Sequence, residues 1–451
     1  MLRKTIGLGT LLIALMLVST ALVWAGGSTD VLKSKEIVYG NFWADWSVDS
    51  YQPANEQQEI WLQWRKSIQK DHGFKMKEKM VGDWGSMLPT LTTSIMAGRP
   101  AGHIFVVSPD WAMSLHRQKL LYPTSDSKAV NFKSTEVIPF KQPAYNQEII
   151  SSFTFNGKSY AFAVGSGGSG HAAGIFYNKR LFKEAGLDPD IPYNMQKAGT
   201  WTWDNYFDIC KKLTRDRNNT GRIDTYAMTA DVADQILDAF IFSNGAEWVS
   251  KDASGKFVNA TGRVEFIEAL QFCRRMLDEG LLMPRPEGSN WDWHFPMFHD
   301  GHTAMMVGAD WQKGSLDSMA DDWGWVFCPK GPRASDYRHP DDDLVIVVPI
   351  TFKPDEVDFI LKAFNLWVTP TNTDWKTDAY NAYRDNRAVD ETSAMMRTGK
   401  YSVFRNNLMI PNLVTGDISW QMWWYDGDPA QLIESVSQNW NILINDANSI
   451  K

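Results

Sequence analysis

The chain has 451 residues, with 45 Lys and Arg against 53 Asp and Glu; 44% of its side chains are hydrophobic and 22% charged. That length accommodates two or three domains, and the composition excludes a disordered or low-complexity chain. The net charge of -8, without a basic run longer than two residues, excludes a nucleic-acid surface, because neutralising phosphates takes clustered Lys and Arg.

At the amino end, Arg3 and Lys4 precede an apolar run from Ile6 to Trp24, with Ala25 and Gly26 behind it. This is the pattern of a signal peptide over residues 1–25, cut after Ala25. A retained anchor is the alternative, since the run approaches the roughly 20 residues that span a bilayer. No cysteine lies near the cut, so no lipobox is read, and the expected location is the periplasm. Cys210, Cys273 and Cys328 are widely spaced and form no CxxC, so they read as buried thiols rather than a disulfide framework.

Glu36–Trp43 reads as a strand running into a loop with Trp43, Asp45 and Trp46. Ile60, Trp61, Trp64 and Ile68 recur at helical spacing, Phe74–Met80 alternates as a second strand, and Leu88–Met96 is helical up to Gly98. His103–Val107 is a short buried strand ending at Ser108-Pro109-Asp110-Trp111. Strand, helix, strand, helix, strand predicts a parallel sheet with helices on its faces, and ligands of such sheets bind beyond the carboxyl ends of the strands, where the Trp43 and Trp111 loops fall. A second α/β region begins near Tyr160, with a strand at Gly174–Tyr177, helices at Lys179–Ala185, Trp203–Leu213 and around Phe266–Leu277, an apolar strand at Leu344–Pro349 and a helix at Asp355–Trp367.

From Gly174 the chain reads Gly-Ile-Phe-Tyr-Asn-Lys-Arg-Leu-Phe-Lys-Glu-Ala-Gly-Leu, followed by Thr200-Trp201-Thr202-Trp203 and Lys211-Lys212-Leu213-Thr214; later come Phe298-His299-Asp300-Gly301-His302-Thr303-Ala304-Met305 and Gly308-Ala309-Asp310-Trp311. In this order the segments resemble those of the extracellular solute-binding proteins of carbohydrate ABC importers, the group that includes maltose-binding protein. The resemblance runs from about Glu36 to Lys451. It departs from the family at Arg99-Pro100-Ala101, where Pro-Asp is usual, and at Gly165–His171, where relatives often carry a carboxylate.

The resemblance implies an α/β fold of two lobes, each a mostly parallel sheet flanked by helices, joined by a hinge of several crossings. The first lobe would take residues 30–163 and 329–400, the second 164–328 and 401–451, with crossings near Val164, Cys328 and Ser402. It also implies a non-catalytic, monomeric protein that closes on a sugar or oligosaccharide and delivers it to the membrane permease of an ABC importer. A secreted carbohydrate-active enzyme is the alternative, and it needs paired carboxylates across the scission point.

Several local patterns are weighed against that reading. Gly165–Gly170 spells G-x-G-x-x-G, but a strand rather than a helix follows, which favours a hinge over a dinucleotide site. Asp216, Asn218, Thr220 and Asp224 match part of a calcium loop, yet position twelve is Ala227 and three arginines lie nearby, so calcium stands beside an Asx-stabilised turn as a reading. His299, Asp300 and His302 straddle a helix-breaking Gly, which argues against metal ligation. No other cofactor is called for. A sugar offers an apolar C–H face that packs on indole and hydroxyl edges that need carboxylates or amides, so the ligand set is Trp43, Asp45, Trp46, Trp84, Asp110, Trp111 and His171 with Asp310, Trp311, Trp423 and Trp424. Of these, Trp311 and Trp423 or Trp424 match family positions that stack on sugar. Trp61, Trp64, Trp367 and Trp440 are read as core.

Overall fold

The computed structural model describes residues 31–165, 173–229, 233–341 and 344–449. The leader region and His171 lie outside these residues. In chain order the elements that position the site are β1 (Glu36–Asn41), α1 (Glu56–His72), β2 (Lys75–Met80), α2 (Met87–Met96), β3 (Ile104–Val107), α3 (Pro109–Arg117), β4 (Ala173–Asn178), α4 (Trp203–Leu213), β5 (Tyr226–Thr229), α5 (Ala233–Ser243), α6 (Val264–Asp278), β6 (Leu282–Met283), β7 (Thr303–Ala309), β8 (Trp323–Phe327), β9 (His339–Asp341), β10 (Val345–Val347), α7 (Pro354–Val368), α8 (Trp375–Ala382), β11 (Ser402–Phe404), α9 (Gly416–Tyr425) and α10 (Pro429–Asn448).

The two largest sheets have four and five strands, ordered β10-β3-β1-β2 and β6-β5-β7-β4-β8. In the first, β1 runs parallel to β2 and β3, and only β10 is antiparallel. The second is mixed: β6, β5 and β7 are mutually parallel, while β4 opposes both β7 and β8. The all-buried runs of β3 and β7 explain their near-continuous apolar sequence, since both faces are covered by helices. α1 starts at Asn55, whose side chain accepts from the Gln58 N–H, and stops at Gly73 in the left-handed region. Among the described residues no helix is long and apolar enough to cross a membrane. The three cysteines are free and buried, and burial raises all three thiols, Cys328 to about 12.

The register of both sheets brings their carboxyl edges to the crossings. Val345, the first residue of β10 after the crossing from the second lobe, pairs with Val107 at the end of β3. Ala173, the first residue of β4, pairs with Ala309 at the end of β7, and Gly174 pairs with Phe327 at the end of β8. The loops that leave β1, β3, β5, β6 and β7 therefore emerge along the two edges that the crossings join. At the last crossing β11 pairs in parallel with β9.

One boundary differs from the expectation. The resemblance implies that residues 329–400 belong to the first lobe, yet Tyr337, Tyr383, Ala388, Val389 and Met396 are buried in the core of the second. The Tyr383 ring packs on Trp323 and Trp325 of β8, at centroid distances of 5.9 and 5.6 Å. Only the stretch around β10 and α7 builds the first lobe, where Ile346, Val357, Ile360, Leu361 and Trp367 join Ile37, Leu62 and Ile104.

Candidate functional site

On the first lobe, the carboxyl edge carries an aromatic cluster built around Phe42. Its ring meets Trp43, Trp84 and Trp111 edge-on at 5.0, 5.3 and 5.4 Å, and Trp84 lies 4.7 Å from Trp111. The members are not equivalent. Trp43 is 50% exposed and Trp84 61%, whereas Trp111 is buried and acts as the support behind them.

Local hydrogen bonds present the two exposed rings. The buried Asn41 side chain accepts through Oδ1 from the N–H groups of Trp43 and Ala44, both at 3.0 Å, and donates through Nδ2 to the Ala44 carbonyl. Asp83 gathers the Ser86 hydroxyl and the N–H groups of Gly85 and Ser86 at 2.6–3.1 Å, so the turn that bears Trp84 is rigid. These contacts order the backbone before any ligand arrives, which lowers the entropy cost of capture. Asp110 opens α3 at the same edge. Burial raises its carboxyl, Ser108 and the Arg405 charge oppose that rise, and its Oδ1 is enclosed without a hydrogen-bond partner.

Two predicted members lie elsewhere. The Asp45 carboxylate accepts from the Met80 N–H at 2.9 Å, and Trp46 N–H donates to the Glu78 carbonyl, so this loop folds back along the outer edge of β2. Trp46 belongs to an aromatic box with Tyr51, Trp61 and Trp367. The box encloses Arg65, whose guanidinium stacks on Trp61 and Trp367 at 3.9 and 4.1 Å and pairs with Glu78 at 3.2 Å. Burial pushes that guanidinium down to about 10. Trp46 is thus part of the lobe's framework.

On the second lobe, Trp311 follows the carboxyl end of β7 and is 47% exposed. Its neighbour Asp310 does not face a ligand alone: it accepts from the Tyr383 hydroxyl and, at 2.8 Å, from Lys313 Nζ. Trp423 is 7% exposed and packs in the core, so it is not a platform. Trp424 is half-buried. It stacks on Trp420, which is 49% exposed, and the Arg285 guanidinium lies over its ring at 5.1 Å. Arg285 stands two residues beyond the end of β6, which brings the Trp420–Trp424 pair to the same edge as Trp311. Of the two expected rings, Trp424 reaches this edge and Trp423 does not, and Trp420 joins it. The signal that finds Trp420 is helical spacing: Ile418, Ser419, Met422 and Trp423 turn inward, leaving Trp420 and Trp424 on the opposite stripe.

The Asp216 loop is organised by its own backbone. Asp216 accepts from the N–H groups of Thr220 and Gly221, and Asp224 from those of Arg217 and Asn218. The Arg217 N–H leads in holding the Asp224 carboxyl below its usual range. Among the described residues no group of three or more His, Cys, Asp or Glu side chains is arranged to hold a metal. With the Asp216 and Asp224 carboxylates engaged by backbone N–H groups, chelator is expected to leave the melting temperature unchanged; a rise on adding calcium back would make Asp216, Asn218, Thr220 and Asp224 ligands. His299 sits between Asp300 and Ser318, at 2.8 and 3.2 Å, but at the amino end of β7, the edge opposite Trp311.

Residues 63–377, more than half of the chain, match the family described as bacterial extracellular solute-binding protein. No curated protein matches significantly. Among solved structures, the chain is similar to an ABC substrate-binding protein from Listeria monocytogenes in complex with cycloalternan, at 18% identity and a TM-score of 0.62, covering 92% of this chain and 99% of that one. It is similar also to an ABC transporter solute-binding protein from Thermotoga lettingae bound with α-D-tagatose, at 17% identity and 0.62, covering 91% and 99%. A third is a Mycobacterium tuberculosis protein in complex with glycerophosphocholine, at 16% identity and 0.64, covering 90% and 98%.

Proposed function

The chain belongs to the bacterial extracellular solute-binding family, and from that premise we propose that it captures a sugar or oligosaccharide between its two lobes and hands it to the permease of an ABC importer. The observation that carries the reading is the pair of exposed indole walls: Trp43 and Trp84 on one carboxyl edge, Trp311 and Trp420 on the other. Surface tryptophans held by dedicated turns suit the C–H faces of pyranose rings, and the enclosed Asp110 oxygen suits a hydroxyl. Structures of the same fold that hold cycloalternan and tagatose support a sugar, and the one that holds glycerophosphocholine sets the non-sugar alternative.

Capture would work as a population shift. A ligand that touches both walls binds the closed arrangement more tightly than the open one, and by that difference it favours closure around the crossings. The closed form is what the permease would recognise, with the protein placed in the periplasm once its leader is removed. Hydrolysis would need a pair of carboxylates free to exchange protons with the glycosidic bond. Asp310, the carboxylate nearest to Trp311 in the chain, is instead tied to Tyr383 and Lys313. A sugar titration followed by tryptophan fluorescence, without the appearance of new reducing ends, tests the reading.

A further inference from the structure

Trp311 is an exposed ring on a short 3-10 turn, Asp310–Leu316, an element with poor hydrogen-bond geometry of its own. Around it, the turn is tied at every neighbouring residue. Gln312 is fully buried and its Oε1 accepts from the Ala309 N–H at 2.7 Å. Lys313 Nζ reaches back to both the carboxylate and the carbonyl of Asp310, at 2.8 and 3.1 Å. The remaining Asp310 oxygen accepts from the hydroxyl of Tyr383. That residue comes from a different part of the chain, just beyond α8, and its ring is wedged against Trp323 and Trp325. The Lys313 ammonium lies 5.3 Å above the same ring.

Resting on the sugar-binding reading of Trp311, we infer that Tyr383 is a positioning residue: through Asp310 and Lys313 it clamps the turn and fixes the angle at which the Trp311 indole is offered to ligand. The clamp does the work at Trp311 that Asn41 and Asp83 do for Trp43 and Trp84, but with a partner remote in sequence. A charge-assisted hydrogen bond from a buried tyrosine fixes the carboxylate more firmly than a water would. Asp310 thereby becomes part of the support of the platform rather than a ligand contact.

Tyr383→Phe keeps the ring and its packing and removes only the donor. It is expected to weaken affinity about three- to tenfold, the scale of one ordinary hydrogen bond, because the lost bond acts on ligand only through the turn. In the background of Trp311→Ala the same change is expected to have no further effect, because the platform it positions is gone. Additive losses would overturn the clamp. A second readout needs no ligand: 19F NMR of the protein carrying 5-fluorotryptophan, with the Trp311 resonance assigned by its disappearance in Trp311→Phe. Tyr383→Phe should shift and broaden that resonance while leaving those of Trp43 and Trp84 in place; an unchanged Trp311 signal overturns the proposal. A perturbed Trp311 signal in a protein that binds no sugar would uphold the clamp and refute the sugar-binding reading, so the two fail separately.

Discussion

Trp311→Ala is expected to weaken sugar binding at least tenfold while leaving the melting temperature almost unchanged. The ring is 47% exposed, so its loss opens no cavity, and substitutions of that kind shift stability by about 0.5 kcal/mol or less. Binding responds differently. A well-presented aromatic that packs on a ligand behaves as a hot spot, and a tenfold loss corresponds to about 1.4 kcal/mol. Calorimetric titration of the variant against the wild type checks this; equal affinities would remove Trp311 from the site. A loss of affinity accompanied by a large drop in melting temperature would point to a damaged turn instead.

Arg65→Ala is expected to cost the first lobe far more, about 3–5 kcal/mol, because it leaves one partner of a buried ion pair uncompensated. The Arg65 and Glu78 side chains are only 11% and 13% exposed. Beyond the 3.2 Å contact to Glu78, Arg65 Nε donates to the Trp367 carbonyl at 3.2 Å, and the Trp367 indole N–H donates to the same Glu78 carboxylate at 2.8 Å. The guanidinium therefore links α1, β2 and α7 at one point, flanked by two indole faces that add cation–π attraction. Denaturant unfolding measures the effect, and a loss below about 1 kcal/mol would show the box to be dispensable. Arg65→Lys is not expected to restore stability, since an ammonium cannot stack between two indoles and reach both the carboxylate and the carbonyl.

These two residues also show what could be read before the structure. The period of Ile60, Trp61, Trp64 and Ile68 announces α1, and the unbroken apolar runs announce β3 and β10, because burial patterns repeat with the geometry of a single element. The loops holding Trp43, Trp84 and Trp311 follow strands, so their position at the carboxyl edges is legible from the order of the elements. Trp46 escaped the same logic. Its loop also follows β1, but it bends back along β2 because Arg65, from the next helix, offers it an aromatic box. The bond between Asp310 and Tyr383 is not legible in the sequence either: the two lie 73 residues apart, and no local spacing announces such a contact. The packing of the Tyr383 segment on the second lobe rests on the same kind of long-range contact.

Trp423 and Trp420 mark the opposite case. The inward stripe of α9 was present in the spacing of Ile418, Met422 and Trp423, so the choice between the indoles was legible from helical period alone. What spacing does not show is that Arg285 lies over Trp424 and brings the pair to the carboxyl edge of the second sheet.

The measurement that bears most directly on the central claim is a titration of the wild-type chain with mono- and oligosaccharides, read by tryptophan fluorescence. With Trp43, Trp84, Trp311 and Trp420 all exposed, capture between the walls is expected to give a saturable change with at least one sugar. No response to any sugar, with saturation by a non-sugar solute such as a glycerophosphodiester, would contradict it.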